Sequence, residues 1–514
     1  MERNPDIHKG GKESLSAACV PSDSDGCLRA MADIGARLQN DKKNILYVLH
    51  ADFRADANSN VGGTQFHVKD LMTHMRQDQN VFVLARDGGI LRLTAYLADE
   101  QITFKFPVGP VPTFQQFHDK TLAETYRQIL AAFSIDLVHV HHMIDLSFDV
   151  FTVARDMGIP LLLTLHDYYY ICPTIKLLEN GETYCGGCGK NCAACLQDQL
   201  GYAEQTNYLP VWREKCREML ALCDGLFIPS EAAKAVYTGV YPELAEKIRV
   251  IGHGMDDLSR PAPEDPAPQP PKTRKRIAFL GGLNPEKGSR IANDLIRKSG
   301  NAYDWYLIGG IRDPHLFALD RKNVHKTDWY AREEVCNLLR QHQIDLVCIF
   351  SIWPETFCYT LSEAELAGVP VLAADMGALG ERIRREQTGW LMDLDTPPKA
   401  VLQRIKEIFA DDQNYTETRD RVTAFRHKTL LEMCREYDAL YAALPAPQKQ
   451  SHPFAPQKIY SAYVMGQSAG VSRGTGAEAQ LLQRIEELEE TIRTIHSSTE
   501  YKMARFLTHG NYPC

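Results

Sequence analysis

The sequence lacks several things. Its first twenty residues, MERNPDIHKGGKESLSAACV, contain no apolar core of signal-peptide length. No run approaches the roughly 20 apolar residues that a spanning helix needs. There is no excess of positive charge: 57 Lys and Arg stand against 66 Asp and Glu, a formal net charge of −9. That balance argues against a dedicated nucleic-acid binder. The expectation is a cytoplasmic protein. Fourteen cysteines are many for a compartment that disfavours disulfides. Cys336, Cys348 and Cys434 lie singly on apolar faces and read as buried thiols.

What is present is a repeated alternation. The apolar runs NILYVLH (44–50), VFVLARD (81–87), DLVHVHH (136–142), PLLLTLH (160–166), GLFIPS (225–230) and IRVIGHG (248–254) read as buried strands with helical stretches between them. Six prolines in Pro261–Lys272 cannot continue a helix or a central strand. The alternation then resumes with KRIAFLGG (275–282), WYLIGG (305–310), DLVCIF (345–350) and VPVLAA (369–374), and a helical stretch over 414–443 closes the second half. The expected organisation is a poorly ordered leader (1–43), a Rossmann-like α/β domain (44–258), a Pro-rich linker (259–274) and a second Rossmann-like domain (275–445). A linker rich in Pro, Gly, Ser and Gln (446–476) and a terminal helix (477–514) follow. Leu481, Ile485, Leu488, Ile492 and Ile495 give that helix a short coiled-coil seam. Its basic and apolar end, as far as residue 507, fits either a membrane surface or self-association and partner packing.

Two doubly wound sheets facing each other make a cleft at the carboxyl ends of their strands. Three motifs point there. In SIWPETFCYTLSEAELAGVPVLAAD (351–375), a helix starting near Phe357 has Glu355 just before it and Glu363 about two turns in. The first amides of a helix are unsatisfied donors and seat phosphate. A carboxylate on each side can accept hydroxyl hydrogen bonds, which is the layout of a nucleotide sugar. Two glutamates near a helix start are common on their own. FLGGLNPEKGSR (279–290) adds glycines and Lys287, and NVGGTQF (60–66) supplies a second glycine loop from the first half. A fourth motif, Cys185, Cys188, Cys192 and Cys195, places four cysteines in eleven residues within an insertion at 172–195. An all-cysteine set suits a closed structural zinc site, with an iron–sulfur cluster as second choice. Cys172 is a fifth candidate, read as buried. His139, His141 and His142 carry no evident carboxylate or cysteine partner as a metal site.

Taken in order, GGTQ (62–65), DLVHVHH, GIPLLLTLHDYYYICP (158–173), FIPSEAAK (227–234), VIGHGMD (250–256), FLGGLNPEKG and PETFCYTLSEAELAGVPVLAADMGALGE (354–381) resemble the retaining, nucleotide-sugar-dependent glycosyltransferases of family 4, with the GT-B fold. The resemblance covers about residues 44–443. It implies that Glu355 contacts donor-sugar hydroxyls and that Glu363 holds the ribose. The amides of Phe357, Cys358 and Tyr359 would meet the distal phosphate and sugar. Lys287 would bind the diphosphate, Gly62 and Gly63 would approach a phosphate, and His166 would stand at the reacting centre. It also implies no catalytic divalent metal, and a glycan or lipid-linked glycan acceptor at the inner face of the cell membrane. One departure stands out. The family often has an arginine where this chain has Gly282, and Arg290 is a candidate substitute. A GT-B epimerase or phosphorylase, and a non-catalytic scaffold built on the cysteine knot and terminal helix, are the competing readings.

Overall fold

The computed structural model describes residues 17–19, 38, 41–53, 62–97, 100–187, 191–201, 207–256 and 272–445. Cys188, most of the leader, most of the Pro-rich linker and all of 446–514, with the terminal helix expected there, lie outside them.

In chain order the first half contains strands β1 (Ala17–Cys19), β2 (Asn44–Leu49), β3 (Asn80–Asp87), β4 (Ile90–Leu97), β5 (Glu100–Pro107), β6 (Leu137–Val140), β7 (Leu161–Thr164), β8 (Leu178–Glu179), β9 (Thr183–Tyr184), β10 (Gly225–Ile228) and β11 (Ile248–Val250). All but β8 and β9 form one sheet of order β1-β5-β4-β3-β2-β6-β7-β10-β11, and β8 and β9 pair as a separate hairpin. Every residue of β2, β6 and β7 is buried, as parallel strands covered on both faces require. The sequence reading missed β4 and β5. β4 is antiparallel to both β3 and β5, and the β3–β4 turn passes through Gly88 at φ +55°. The signal was there in ARDGGI, since Gly88-Gly89 is a hairpin turn dipeptide, with Asp87 and Ile90 paired on either side.

The second half contains β12 (Arg276–Leu280), β13 (Asp304–Ile308), β14 (Val324–Lys326), β15 (Leu346–Ile349), β16 (Val371–Ala374) and β17 (Gly389–Met392), all parallel, in the order β14-β13-β12-β15-β16-β17. This is the doubly wound order whose direction reverses between β12 and β15. Ligands bind at such a switch point, beyond the carboxyl ends of the strands.

Two expectations are corrected. The leader contributes β1, a parallel addition to β5 with Ala17 opposite Gln101. An edge strand offers an unpaired row of amides and carbonyls, and β1 covers it. The helical stretch 414–443 is two helices, Asp412–Ala424 and Leu430–Ala443. The second leaves its own domain and buries Met433, Cys434, Tyr437 and Tyr441 against Ile45, Tyr47 and Leu49 of the first sheet and Val68 of the helix Gly63–Met75. Its start is a capping box in which Thr429 accepts from the Glu432 amide and Glu432 from the Thr429 amide. Tyr441 Oη lies 2.7 Å from His139 Nδ1, and Thr164 lies 2.8 Å from His139 Nε2. His139 therefore faces this helix, away from the cleft.

Candidate functional site

A cavity of about 960 Å³ lies between the two sheets. Gly62, Gly63, His166, Lys287, Glu355, Phe357, Cys358, Tyr359 and Glu363 all line it. The motifs are far apart in sequence, and the fold brings every one of the expected cleft residues to this wall.

The loop after β12 carries Lys287 in a short 3₁₀ turn, Pro285–Lys287, capped by Asn284, whose side chain accepts from the Lys287 amide at 3.1 Å. Gly288 follows at φ +80°, and a Cβ there would stand 2.2 Å from the Phe350 carbonyl oxygen. Only glycine lets this turn lie on the β15 loop. The contact brings Lys287 Nζ to 2.8 Å from Glu355 Oε1. Ser351 Oγ donates to the same oxygen. Burial opposes ionisation of Glu355, but the Lys287 ammonium and these hydrogen bonds outweigh it and hold the carboxyl below its ordinary value. Burial likewise opposes the charge on Lys287, and Glu355 more than restores it. Both groups are charged at neutral pH.

The helix expected near Phe357 runs Tyr359–Leu366. Its N-cap, Cys358, has φ +70°, a left-handed conformation unusual for a residue with a side chain. Buried Arg382 fixes that turn. It donates to the carbonyls of Phe357 and Cys358 at 3.2 Å each and pairs with Glu365 at 2.9 Å. Cys358, Tyr359 and Thr360, at the start of this helix, line the cavity, and the first amides of a helix have no partner within it. Glu363 lies one face further in, 7 % exposed, with Tyr330 donating to Oε2 at 3.3 Å. Burial raises its carboxyl to about 7, against the pull of Tyr330, Arg332 and Lys287.

Sequence reasoning missed several lining groups. Lys176, Arg312 and Arg332 bring positive charge to the cavity, and His253, Trp329 and Tyr330 bring rings. Arg312 follows β13 in IGGIRD, where a basic residue at a strand's carboxyl end was a legible signal. Arg290 is corrected: it pairs with Glu182 at 2.7 Å, is largely exposed and does not line the cavity. The Trp329 ring lies across Gly310, where a Cβ would come within 2.1 Å of the indole, whereas at Gly282 a Cβ would meet that ring at 3.5 Å, an ordinary contact that does not explain the missing arginine. The Arg312 guanidinium lies over that ring, 5.5 Å from its centroid.

The rear of the cavity is a histidine cluster. His166 Nε2 lies 3.1 Å from His141 Nδ1. The ring of His67, from the helix Gly63–Met75, has its centroid 4.3 Å from that of His253 and 4.9 Å from that of His166. Burial, aided by mutual repulsion, keeps His67, His141, His166 and His253 well below the ordinary histidine range, so they are neutral. One ring nitrogen each from His67, His141 and His166 lie within 4.8 Å of one another, a set able to take a transition metal. His142 does have a carboxylate partner, Asp167, at 2.8 Å. Aspartate and histidine here come from adjacent strand ends, so their pairing was invisible to spacing.

Domain-to-domain contacts surround the site. Thr356 donates to the His166 carbonyl at 2.6 Å and Tyr168 to the Pro354 carbonyl at 2.7 Å. Lys176 pairs with Glu286, and Arg332 with Asp70 at 2.8 Å.

Two family models match the chain: Glycosyltransferase Family 4 over residues 61–257 and Glycosyl transferases group 1 over residues 263–425. A D-inositol 3-phosphate glycosyltransferase of Nocardia farcinica is 26% identical over 296 residues, 54% of this chain and 59% of that protein. A GDP-mannose-dependent alpha-mannosyltransferase of Mycolicibacterium smegmatis is 26% identical over 152 residues, 28% of this chain and 37% of that protein. The match thus spans less than two thirds of either relative. Among solved structures, Anabaena HepE in complex with UDP-glucose superposes with a TM-score of 0.52 at 17% identity, over 78% of this chain and 100% of that one. Sucrose-phosphate synthase from Thermosynechococcus elongatus does so with 0.56 at 18%, over 78% and 100%. At these identities the two structures speak for the fold.

Proposed function

The chain belongs to the group 1 glycosyltransferases of the GT-B fold, and from that premise we propose that it transfers a sugar from a nucleoside-diphosphate sugar to an acceptor hydroxyl with retention of anomeric configuration. One observation carries this reading: Lys287, Glu355, the open start of helix Tyr359–Leu366 and Glu363 line a single cavity between the sheets. HepE, bound to UDP-glucose, and the mannosyltransferase named for GDP-mannose support a nucleotide-sugar donor.

In this reading the diphosphate lies against the amides of Phe357, Cys358 and Tyr359, with Gly62 and Gly63 across from them. Glu355 accepts from the sugar hydroxyls and Glu363 from the ribose. As the glycosidic bond breaks, negative charge grows on the departing diphosphate. Lys287 and the helix N-terminus then stabilise the transition state more than the ground state. His166 borders the reacting centre as a neutral ring. Its partner His141 fixes its orientation. The acceptor attacks on the face the leaving group vacates, and its proton passes to a departing phosphate oxygen, so no protein nucleophile is needed. We place the acceptor among glycans or lipid-linked glycans handled at the inner face of the cell membrane, following the family resemblance.

The test is nucleotide release from UDP-, GDP-, ADP- and TDP-sugars, with Glu355→Ala and Lys287→Ala alongside. Release from one donor, reduced at least about 100-fold in both variants, is the expected result. Absence of both binding and release across the panel would overturn the reading.

A further inference from the structure

Behind the cleft the histidines divide into those with hydrogen-bond partners and those without. His139 has a hydroxyl on each ring nitrogen, Tyr441 at 2.7 Å and Thr164 at 2.8 Å. His142 has the Asp167 carboxylate on Nε2 at 2.8 Å and the Ile144 amide on Nδ1 at 3.1 Å. His67 is 0% exposed, and among the described residues neither of its ring nitrogens has a partner. His141 is 1% exposed, with His166 on Nδ1 and no partner on Nε2. We propose that His67, His141 and His166 bind one zinc ion whose fourth position opens on the cleft.

A buried imidazole that bonds to nothing has lost its hydration without replacement. An ion that takes its lone pair supplies the replacement. One ring nitrogen from each of the three histidines lies within 4.8 Å of the others. Zinc–imidazole bonds of about 2.0 Å put the nitrogens of a tetrahedral set about 3.3 Å apart. His141 Nδ1 and His166 Nε2 already stand 3.1 Å apart. That spacing serves two ligands of one ion as well as it serves a hydrogen bond. The His67 ring has its centroid 4.9 Å from that of His166 and 5.5 Å from that of His141, and no hydrogen bond holds it away from them. Three imidazoles select a transition metal over magnesium or calcium, which take oxygen ligands.

The ligands come from three segments. His67 lies on the helix Gly63–Met75, His141 just beyond β6 and His166 just beyond β7. β6 and β7 are neighbours in the sheet, which sets the rings of His141 and His166 side by side. His166 lines the main cavity, whereas His67 and His141 are buried behind it. Three protein nitrogens and an open fourth position form the kind of zinc site that takes water or a substrate oxygen. On the reaction proposed above, that oxygen is the acceptor hydroxyl. The Asp167 carboxylate, next along the chain from His166, lines the same cavity and brings a negative charge close to the ion. The site belongs to the first half, whereas Lys287 and Glu355 belong to the second.

The test uses cobalt(II) alone, without any sugar, so its failure and failure of the donor reading are separate results. Full-length protein is stripped with chelator and titrated with cobalt. Each imidazole bound to cobalt shows its remaining ring N–H as one exchangeable, strongly shifted proton resonance. The cysteine-rich insertion, where Cys172, Cys185, Cys192 and Cys195 line a separate small cavity, offers thiols and is silent in this readout. The expected result is three such resonances in the wild type at saturation, and loss of all three in His67→Phe. Absence of shifted imidazole resonances from the wild type, or their persistence unchanged in His67→Phe, overturns the assignment and leaves the gap to ordered water. If His67→Phe does not fold, the wild-type spectrum decides alone, because a water-filled gap gives no such resonance.

Discussion

Glu355 and Glu363 are both glutamates at the start of one helix, and their surroundings drive them apart. Glu355 has an ammonium and a hydroxyl on one oxygen and stays ionised. Glu363 has a phenol and little solvent, and its carboxyl titrates near 7. A ribose hydroxyl donates best to the ionised form. Donor affinity should therefore rise as pH rises through 7, by about tenfold between pH 6 and pH 8. The four cleft histidines are already neutral in this range and add nothing to the slope. Calorimetric titration with the cognate nucleotide sugar would show this, and Glu363→Gln should flatten the curve. A slope that survives the substitution would assign it to another group. The same raised carboxyl costs folding stability as pH climbs from about 4.5 to 7, because the unfolded chain ionises first and the native state holds the proton longer.

Helix Leu430–Ala443 carries the chain back to the first sheet, and its seat is made by a glycine. A Cβ on Gly254 would stand 2.2 Å from the Thr429 carbonyl oxygen and 2.8 Å from Leu430 Cα. The Met255 amide donates to the Lys428 carbonyl at 2.8 Å, and Asp256 accepts from the Leu430 amide at 3.1 Å. Gly254→Ala must push the helix off its dock. Overpacking of this kind costs about 1–3 kcal/mol, to be read from denaturant unfolding. His253, next along the chain, stacks on Tyr359 with ring centroids 5.6 Å apart, so the same variant should weaken donor binding. Unchanged stability and affinity would mean that the helix start yields freely. This docking escaped sequence reasoning because the helix's periodicity specifies an apolar face and says nothing of which sheet receives it. The strands were legible because a buried parallel strand is a continuous apolar run.

Across the whole molecule, the cleft stays closed through contacts between the halves. The Arg332–Asp70 pair is among the most buried of them, at 7% and 11% side-chain exposure, with the guanidinium 5.4 Å from the centroid of the Phe66 ring and 5.6 Å from that of Tyr359. Removing one partner strands a buried charge. Asp70→Ala should lower stability by about 3 kcal/mol and enlarge the radius of gyration in solution scattering. A cycle with Arg332→Ala should return a coupling energy of about 1–3 kcal/mol. An unchanged radius would shift the hold on closure to the hydrogen bonds of Thr356 and Tyr168. Among the described residues no helix is long and apolar enough to cross a membrane.

The sequence by itself determined the two α/β halves, the cleft-facing loops and the identities of Lys287, Glu355, Phe357, Cys358, Tyr359 and Glu363, because apolar runs, glycine and proline punctuation and helix starts are local properties. It also marked Gly62 and Gly63 in a glycine loop before a helix, and His166 at the end of a strand. Tertiary structure alone decided which charges reach the cavity, replacing Arg290 with Lys176, Arg312 and Arg332. It gathered His67, His141, His166 and His253 from four segments, and drew Cys172 to Cys185, Cys192 and Cys195. It also sent the last described helix across to the first sheet. Each of these joins residues distant along the chain, and sequence spacing measures contour, whereas ligation, ion pairing and packing depend on distance in space.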